Sequence, residues 1–150
     1  MRKITLAHSP DPDDAFMWWP LADIDGSGPS MNVGDWEFEL VTKDIESLNV
    51  EAEDAMYDIT AISIAHYPSV ANAYDLTACG ASLGDGYGPK LVAKEKCSVE
   101  NLFLDNPKIA VPGDRTTALA TLRILADNRE MQWKSVDFTK IMDFVNEGQF

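Results

Sequence analysis

The sequence predicts an α/β fold on three observations. Short β-prone runs alternate with segments whose apolar residues recur at helical spacing. The run ITAISIA at 59–65 is apolar almost throughout and rich in β-branched residues, as in a strand buried within a parallel sheet. Small hydroxylated residues, Ser9, Ser63 and the pair Thr116 and Thr117, fall where strands end and helices begin, the edge at which open parallel sheets place their ligands.

The elements follow in order. KITLA at 3–7 is β-prone and stops at Ser9-Pro10, and DPDDAFMWWPLAD at 11–23 carries its acids before its apolar residues, the order of a helix N-terminus. After a Gly/Ser/Pro loop at 25–34, WEFELVT at 36–42 sets Trp36, Phe38 and Leu40 on one face of a strand. Ile45, Leu48, Ala52, Ala55 and Met56 recur as on a helix. HYPSVANAY at 66–74 forms a short helix, LTACGA returns as a strand, and the glycine-rich LGDGYGPK leads into LVAKE at 91–95. A second unit follows: SVENLFL, the strand KIAV, a helix marked by Leu119, Leu122, Ile124 and Leu125, and a final helix with Ile141, Phe144 and Val145. Strands are therefore expected near 3–8, 36–42, 58–64, 76–79, 90–94 and 108–111, and helices near 13–22, 44–55, 67–73, 98–103, 115–128 and 138–146. A composition shift around 86–98 divides the chain into a first lobe over 1–94 and the start of a second over 95–150.

Composition excludes several functions. The chain has 150 residues, 45% of them hydrophobic, enough for a buried core without disulfides or metal. Twenty-five acidic residues stand against 12 basic ones, a net charge of −13, with no Lys/Arg cluster. That balance argues against nucleic acid and anionic membranes as partners. Cys79 and Cys97 have no metal-ligand spacing, and the apolar run of the N-terminus is broken by His8, Pro10 and aspartates, unlike a signal peptide. A soluble cytoplasmic protein is expected.

Each chemical motif has a bland reading beside it. The cluster of Asp11, Asp13 and Asp14 lacks the Gly and Glu of a calcium loop, with Phe16 and Ala22 in their places; no metal is expected, and Asp13 and Asp14 read as caps of a helix N-terminus. GDGYGP at 84–89 has the wrong glycine spacing for a dinucleotide site and reads as a turn or hinge, with Gly86 a secondary ligand candidate. PGDRTTA at 112–118 is either an anion site at a helix start or a helix capped by Asp114 or Thr116. His8 and His66 follow the first and third strands, but no nucleophile elbow accompanies them, so a hydrolase triad is unsupported.

Five stretches occur together and in order: HSPDPDDAFM at 8–17, DIESLN at 44–49, DITAIS at 58–63, GASLGDGYGP at 80–89 and IAVPGDRTTA at 109–118. The set resembles the menaquinone-biosynthesis family of the futalosine route, which includes the 1,4-dihydroxy-6-naphthoate synthases. The resemblance implies a fold like the type II periplasmic binding proteins, two α/β lobes with mixed sheets joined by hinge strands, the second lobe incomplete here. It also implies a lyase-type cytoplasmic enzyme that converts cyclic dehypoxanthine futalosine into 1,4-dihydroxy-6-naphthoate without a cofactor, with a histidine as general base. Ser9, Pro10, Ser63, Thr116 and Thr117 match the family's ligand-contacting motifs, and Asp11 and Gly86 are held as further contacts to a small carboxylate-bearing molecule.

The matching pattern breaks off at the C-terminus. Residues 136–150 read as the helix and turn before the strand that bears the family's histidine, so that base is expected beyond Phe150, and the 150 residues alone are expected to be inactive. The alternative alignment puts Asn146 of NEGQF in the histidine's place. A chain with unpartnered apolar faces around Leu122, Leu125, Ile141 and Phe144 is expected to self-associate, by exchanged elements where the geometry permits. Two alternatives stay open: a non-catalytic binding protein of the same fold, and an enzyme like chorismate dehydratase.

Overall fold

In the computed structural model β1 (Arg2–His8) takes the centre of a three-stranded parallel sheet. The structure describes residues 1–23, 25–104 and 106–150. They divide into two units, Met1–Gly84 and Asp85–Phe150.

In the first unit β1 pairs along its whole length with β2 (Trp36–Thr42), from Arg2 opposite Trp36 to His8 opposite Thr42. Its other edge takes β3 (Ile59–Thr60), with Leu6 opposite Ile59 and Ala7 opposite Thr60. Having a neighbour on each edge explains the burial gradient along β1, from exposed Arg2 to fully buried Leu6 and Ala7. The entry to β3 is fixed by Asp58, whose Oδ2 accepts the Thr5 amide and hydroxyl at 2.8 Å each, while Thr5 Oγ1 accepts the Asp58 N–H at 2.9 Å.

Helix α1 (Pro12–Trp18) follows β1 and gives way to a single 3-10 turn at Trp19–Leu21, because Pro20 has no N–H to continue an α-helix. The helix expected over 13–22 is therefore shorter. Helix α2 (Ile45–Glu53) packs on β1 and buries Leu48, Asn49 and Ala52. Its start is capped by Asp44, which accepts the Ser47 amide at 3.0 Å. Partial burial works against ionisation of Asp44, but hydrogen bonds from the Ser47 hydroxyl and amide outweigh it and hold the carboxyl below its usual range. After β3 a 3-10 turn at Ile64–His66 leads into the short helix α3 (Tyr67–Val70).

The second unit holds α4 (Val99–Leu102), β4 (Lys108–Val111), α5 (Thr117–Ala126), β5 (Gln132–Ser135), a 3-10 turn at Phe138–Lys140 and α6 (Ile141–Asn146). β4 and β5 pair in parallel, Lys108 opposite Gln132. Phe103, Ile109, Val111, Leu119, Leu122 and Ala126 form one core cluster, with Leu102 and Met131 packed against it. Leu122 thus has its partners, contrary to expectation. Ile124, read as part of the apolar face, is 80% exposed, because it lies two residues from Leu122 and so on another side of the helix. α5 ends where Asp127 turns left-handed, at φ 48°.

Three strand expectations need correction. The segments 76–79 and 90–94 carry no ladder, so the sheets among the described residues are purely parallel rather than mixed. The run expected as a strand over 58–64 pairs only at Ile59 and Thr60, because Ser63 already begins a 3-10 turn. β5 went unread, since all four residues of QWKS are exposed and leave no apolar period.

Candidate functional site

Three connections leave the C-terminal edge of the first unit's sheet, and polar side chains are buried where two of them, after β1 and after β3, leave it. The chain turns out of β1 at Ser9, which is buried, and Pro10, which is exposed. The Ser9 amide donates to Asp14 Oδ2 at 2.7 Å. The Ser9 hydroxyl donates to Asp11 Oδ2 at 3.1 Å and accepts the Asp11 N–H at the same distance. This corrects the capping role read for Asp14, since its carboxylate reaches back to the end of β1 rather than to the amides of its own helix. Asp11 holds the N-cap position of α1, but its side chain makes no capping bond. Asp13 is exposed.

The two histidines sit beside this turn. The buried His8 ring places Nδ1 2.7 Å from the Ser9 carbonyl oxygen and Nε2 3.3 Å from Thr42 Oγ1. A carbonyl can only accept, so Nδ1 is the donor of the bond to Ser9. His66, also buried, has Nε2 3.4 Å from Glu53 Oε1, close enough for an ion pair but outside hydrogen-bond geometry. Neither ring bonds to a serine hydroxyl. No serine hydroxyl of this edge is therefore a nucleophile activated by an adjacent histidine base.

Ser63 closes the edge at the end of β3. Its N–H donates to Asn49 Oδ1 at 2.8 Å, and its Oγ accepts from Asn49 Nδ2 at 3.0 Å. Asn49 is fully buried. It was not singled out from the sequence, yet an amide four residues from Ile45 and three from Ala52, within the apolar stripe of a helix, is a signal for a buried polar anchor. Lys43, just past β2, is engaged within the protein. Hydrogen bonding to Glu51, then to Tyr57, raises its ammonium above the usual range, and hydrogen bonds from Lys43, then from Tyr57, lower the Glu51 carboxyl.

In the second unit the candidates stand where β4 passes through Pro112 and Gly113 into α5. Thr116 is the N-cap: its hydroxyl donates to the Gly113 carbonyl at 2.8 Å and accepts the Leu119 N–H at 3.3 Å. Of the two caps weighed from the sequence, Thr116 takes the role, because Asp114 instead accepts the Trp133 indole N–H at 3.1 Å. Thr117 opens the helix, half-buried. Gly86 has φ 72° with open space where a Cβ would stand, the geometry of an exposed turn. The structure thus brings Ser9, Pro10 and Asp11 into one turn, with Ser63 on the neighbouring strand end. Thr116 and Thr117 lie in the second unit. Cys79 and Cys97 are free and exposed. Among the described residues no helix is long and apolar enough to cross a membrane, and no group of His, Cys, Asp and Glu is arranged to hold a metal ion.

Known proteins resemble this chain in sequence and in fold. The chain is 30% identical over 149 residues to a Thermus thermophilus protein named "1,4-dihydroxy-6-naphtoate synthase", covering 99% of this chain and 50% of that protein. It is 32% identical over 123 residues to a Streptomyces coelicolor protein of the same name, covering 82% of this chain and 40% of the relative. A crystal structure of an Archaeoglobus fulgidus protein superposes with a TM-score of 0.84 at 37% identity, over 98% of this chain and 51% of that one. The chain therefore spans about half the length of the relatives it matches. With the family model for menaquinone biosynthesis matching residues 4–149 as well, the chain belongs to the menaquinone-biosynthesis family.

Proposed function

We propose that this chain carries substrate-binding elements of a 1,4-dihydroxy-6-naphthoate synthase, a cytoplasmic lyase-type enzyme acting on cyclic dehypoxanthine futalosine, with the fold of a type II periplasmic binding protein. The observation that carries this reading is the polar sheet edge of the first unit: Ser9 and Ser63 are buried at neighbouring strand ends, each fixed by a buried partner, Asp14 and Asn49. Both serines lie in motifs that the resemblance connects with ligand contact, and the relatives' name supplies the reaction.

In this reading Ser9, Pro10, Asp11 and Ser63 orient the polar substrate, and Thr117 meets its carboxylate at the start of α5, where the helix dipole favours an anion. Thr116 serves by holding that helix start in place, and Gly86 remains a further contact, in an exposed turn. Neither His8 nor His66 is assigned the proton transfer. A general base must reach the proton it removes, and both His8 nitrogens already have partners within the protein.

The test is turnover of cyclic dehypoxanthine futalosine to 1,4-dihydroxy-6-naphthoate, measured for the chain alone and for the chain joined to the unmatched half of the Thermus thermophilus relative. The chain alone is expected to be silent and the joined form active. Tight binding without turnover in the joined form would favour a non-catalytic binding protein instead.

A further inference from the structure

Every donor in the turn that leaves β1 is spent within the chain. The sequence there is Ser9-Pro10-Asp11-Pro12, and a proline has no N–H to give. The two remaining amides are taken: Ser9 N–H donates to Asp14 Oδ2 at 2.7 Å, and Asp11 N–H donates to Ser9 Oγ at 3.1 Å. The Ser9 hydroxyl proton goes to Asp11 Oδ2, also at 3.1 Å. On the neighbouring strand end the Ser63 N–H is likewise spent, on Asn49 Oδ1. The turn therefore has acceptors to offer a ligand and no donor.

The acceptor that reaches outward is Asp11. Its side chain is exposed and caps no helix amide. A carboxylate has about four lone-pair positions on its two oxygens, and Ser9 occupies one of them, on Oδ2. The same bond holds the carboxylate in one orientation, so its remaining positions are aimed in advance of any ligand.

No cationic side chain offsets this charge at the same edge. Of the chain's 25 acidic residues, 15 fall within Met1–Gly84, where the Lys and Arg residues are Arg2, Lys3 and Lys43. Arg2 and Lys3 begin β1, at the far end of the sheet, where Arg2 lies over the Trp36 ring and Lys3 pairs with Glu37. Lys43 follows β2, but its ammonium donates to Glu51 Oε1 and lies over the Tyr57 ring. Of the buried histidines, His8 is engaged by Ser9 and Thr42, and His66 stands beside Glu53. A ligand carboxylate at this turn would meet a like charge and find no donor from it.

We infer that the turn at residues 9–12 is a hydroxyl-binding subsite, in which the Asp11 carboxylate accepts an O–H of the ligand and the ligand's own carboxylate lies away from it. The inference rests on the proposed function and orients its substrate. The compound in the relatives' name is a dihydroxynaphthoate, with its hydroxyls at positions 1 and 4 of one ring and its carboxylate at position 6, on the other. Of those groups only the hydroxyls donate, so the hydroxylated ring is the end that Asp11 receives.

The experiment titrates the 150-residue chain, in the absence of oxygen, with two ligands that share a ring system and a carboxylate: 1,4-dihydroxy-6-naphthoate and 2-naphthoate, which has no hydroxyl. In amide NMR spectra the Ser9 and Asp11 signals should move with the first and stay with the second. Asp11→Asn keeps the side chain's size, removes its charge and replaces one acceptor with a donor. It should weaken binding of the dihydroxy ligand by about tenfold and leave that of 2-naphthoate within about twofold. A ligand carboxylate seated at Asp11 predicts the opposite sign, with the variant binding both compounds more tightly. That result, an unchanged affinity of the variant for the dihydroxy ligand, equal movement of the Ser9 and Asp11 signals with both compounds, or binding of neither would overturn the inference. The signals are read on the native chain, so the inference stays open to refutation even if the variant does not fold. Turnover by the joined chain decides the proposed function separately, so either can fail while the other stands.

Discussion

Asn49 of α2 and Ser63 after β3 exchange two hydrogen bonds of opposite direction, the serine amide donating to the asparagine oxygen and the asparagine amide donating to the serine hydroxyl. This fixes the asparagine's orientation and ties the end of one strand to the core side of a helix. Asn49→Ala leaves the Ser63 N–H buried without an acceptor, and denaturant unfolding should show a loss of about 1–3 kcal/mol. Asn49→Asp keeps an acceptor for that N–H and should lose less. A loss of less than about 0.5 kcal/mol for Asn49→Ala, the range of ordinary surface changes, would show that the pair does not hold the edge.

Thr116 and Thr117 are adjacent but should fail in different ways. Thr116→Val removes the N-cap of α5, and its effect should fall on stability, about 0.5–2 kcal/mol by thermal or denaturant unfolding. Thr117→Val keeps the size and removes a hydroxyl. If Thr117 binds the substrate carboxylate, affinity for cyclic dehypoxanthine futalosine measured by calorimetry should drop by about one to two decades, since a hydrogen bond to a charged group is worth about 1.5–3 kcal/mol. A change of less than about threefold with the fold intact would remove Thr117 from the site.

The pH dependence of the first unit should carry the mark of Asp58. Hydrogen bonds from the Thr5 amide and then the Thr5 hydroxyl hold its carboxyl below the usual range. A carboxyl depressed in the folded state adds stability that is fully present above its unfolded pKa, about 4, and is lost as pH falls through the folded value. The melting temperature of the native chain should therefore exceed that of Asp58→Ala by a constant margin near neutrality, and the margin should close as the solution is acidified below about pH 4. A margin that widens in acid would contradict the assignment.

Gly80 and Gly86 separate two reasons for a glycine. Both have positive φ, 82° and 72°, where a side chain is strained. At Gly80 a Cβ would also stand 3.0 Å from Trp18 Cη2, while at Gly86 it would meet open space. Gly86→Ala should lose about 1 kcal/mol, the backbone contribution alone. Gly80→Ala should lose measurably more in the same unfolding assay, and equal losses would show that Trp18 yields without resistance.

How much the sequence disclosed depended on whether a residue's environment was local. β1, β2, α2, β4 and α5 were legible because their apolar residues keep a strand or helix period through the segment. The predicted strands at 76–79 and 90–94 show what propensity lacks: LTACGA and LVAKE are β-prone, but a strand exists only where a partner offers its edge. β5 is the converse, four exposed residues made a strand by β4 alone. At the site, Ser9 and Ser63 could be placed from strand ends. Asn49 could not be assigned its partner, because its bonds join a helix to a segment 14 residues further on through tertiary packing; Asp14's partner is only five residues away, but an acid in the first turn of a helix reads equally well as a cap.

The central place of β1 bears on how the first unit comes into being. β1 is made before both β2 and β3, and each must find it, across separations of 34 residues to β2 and 53 to the entry of β3. Until the segment around Asp58 has been synthesised, Leu6 and Ala7 have an incomplete set of neighbours. Non-local pairings of this kind fold slowly. Nascent β1 is thus a waiting template, and a substitution or deletion that alters residues 2–8 should reduce the yield of folded protein far more than a comparable change in the loop at 25–34.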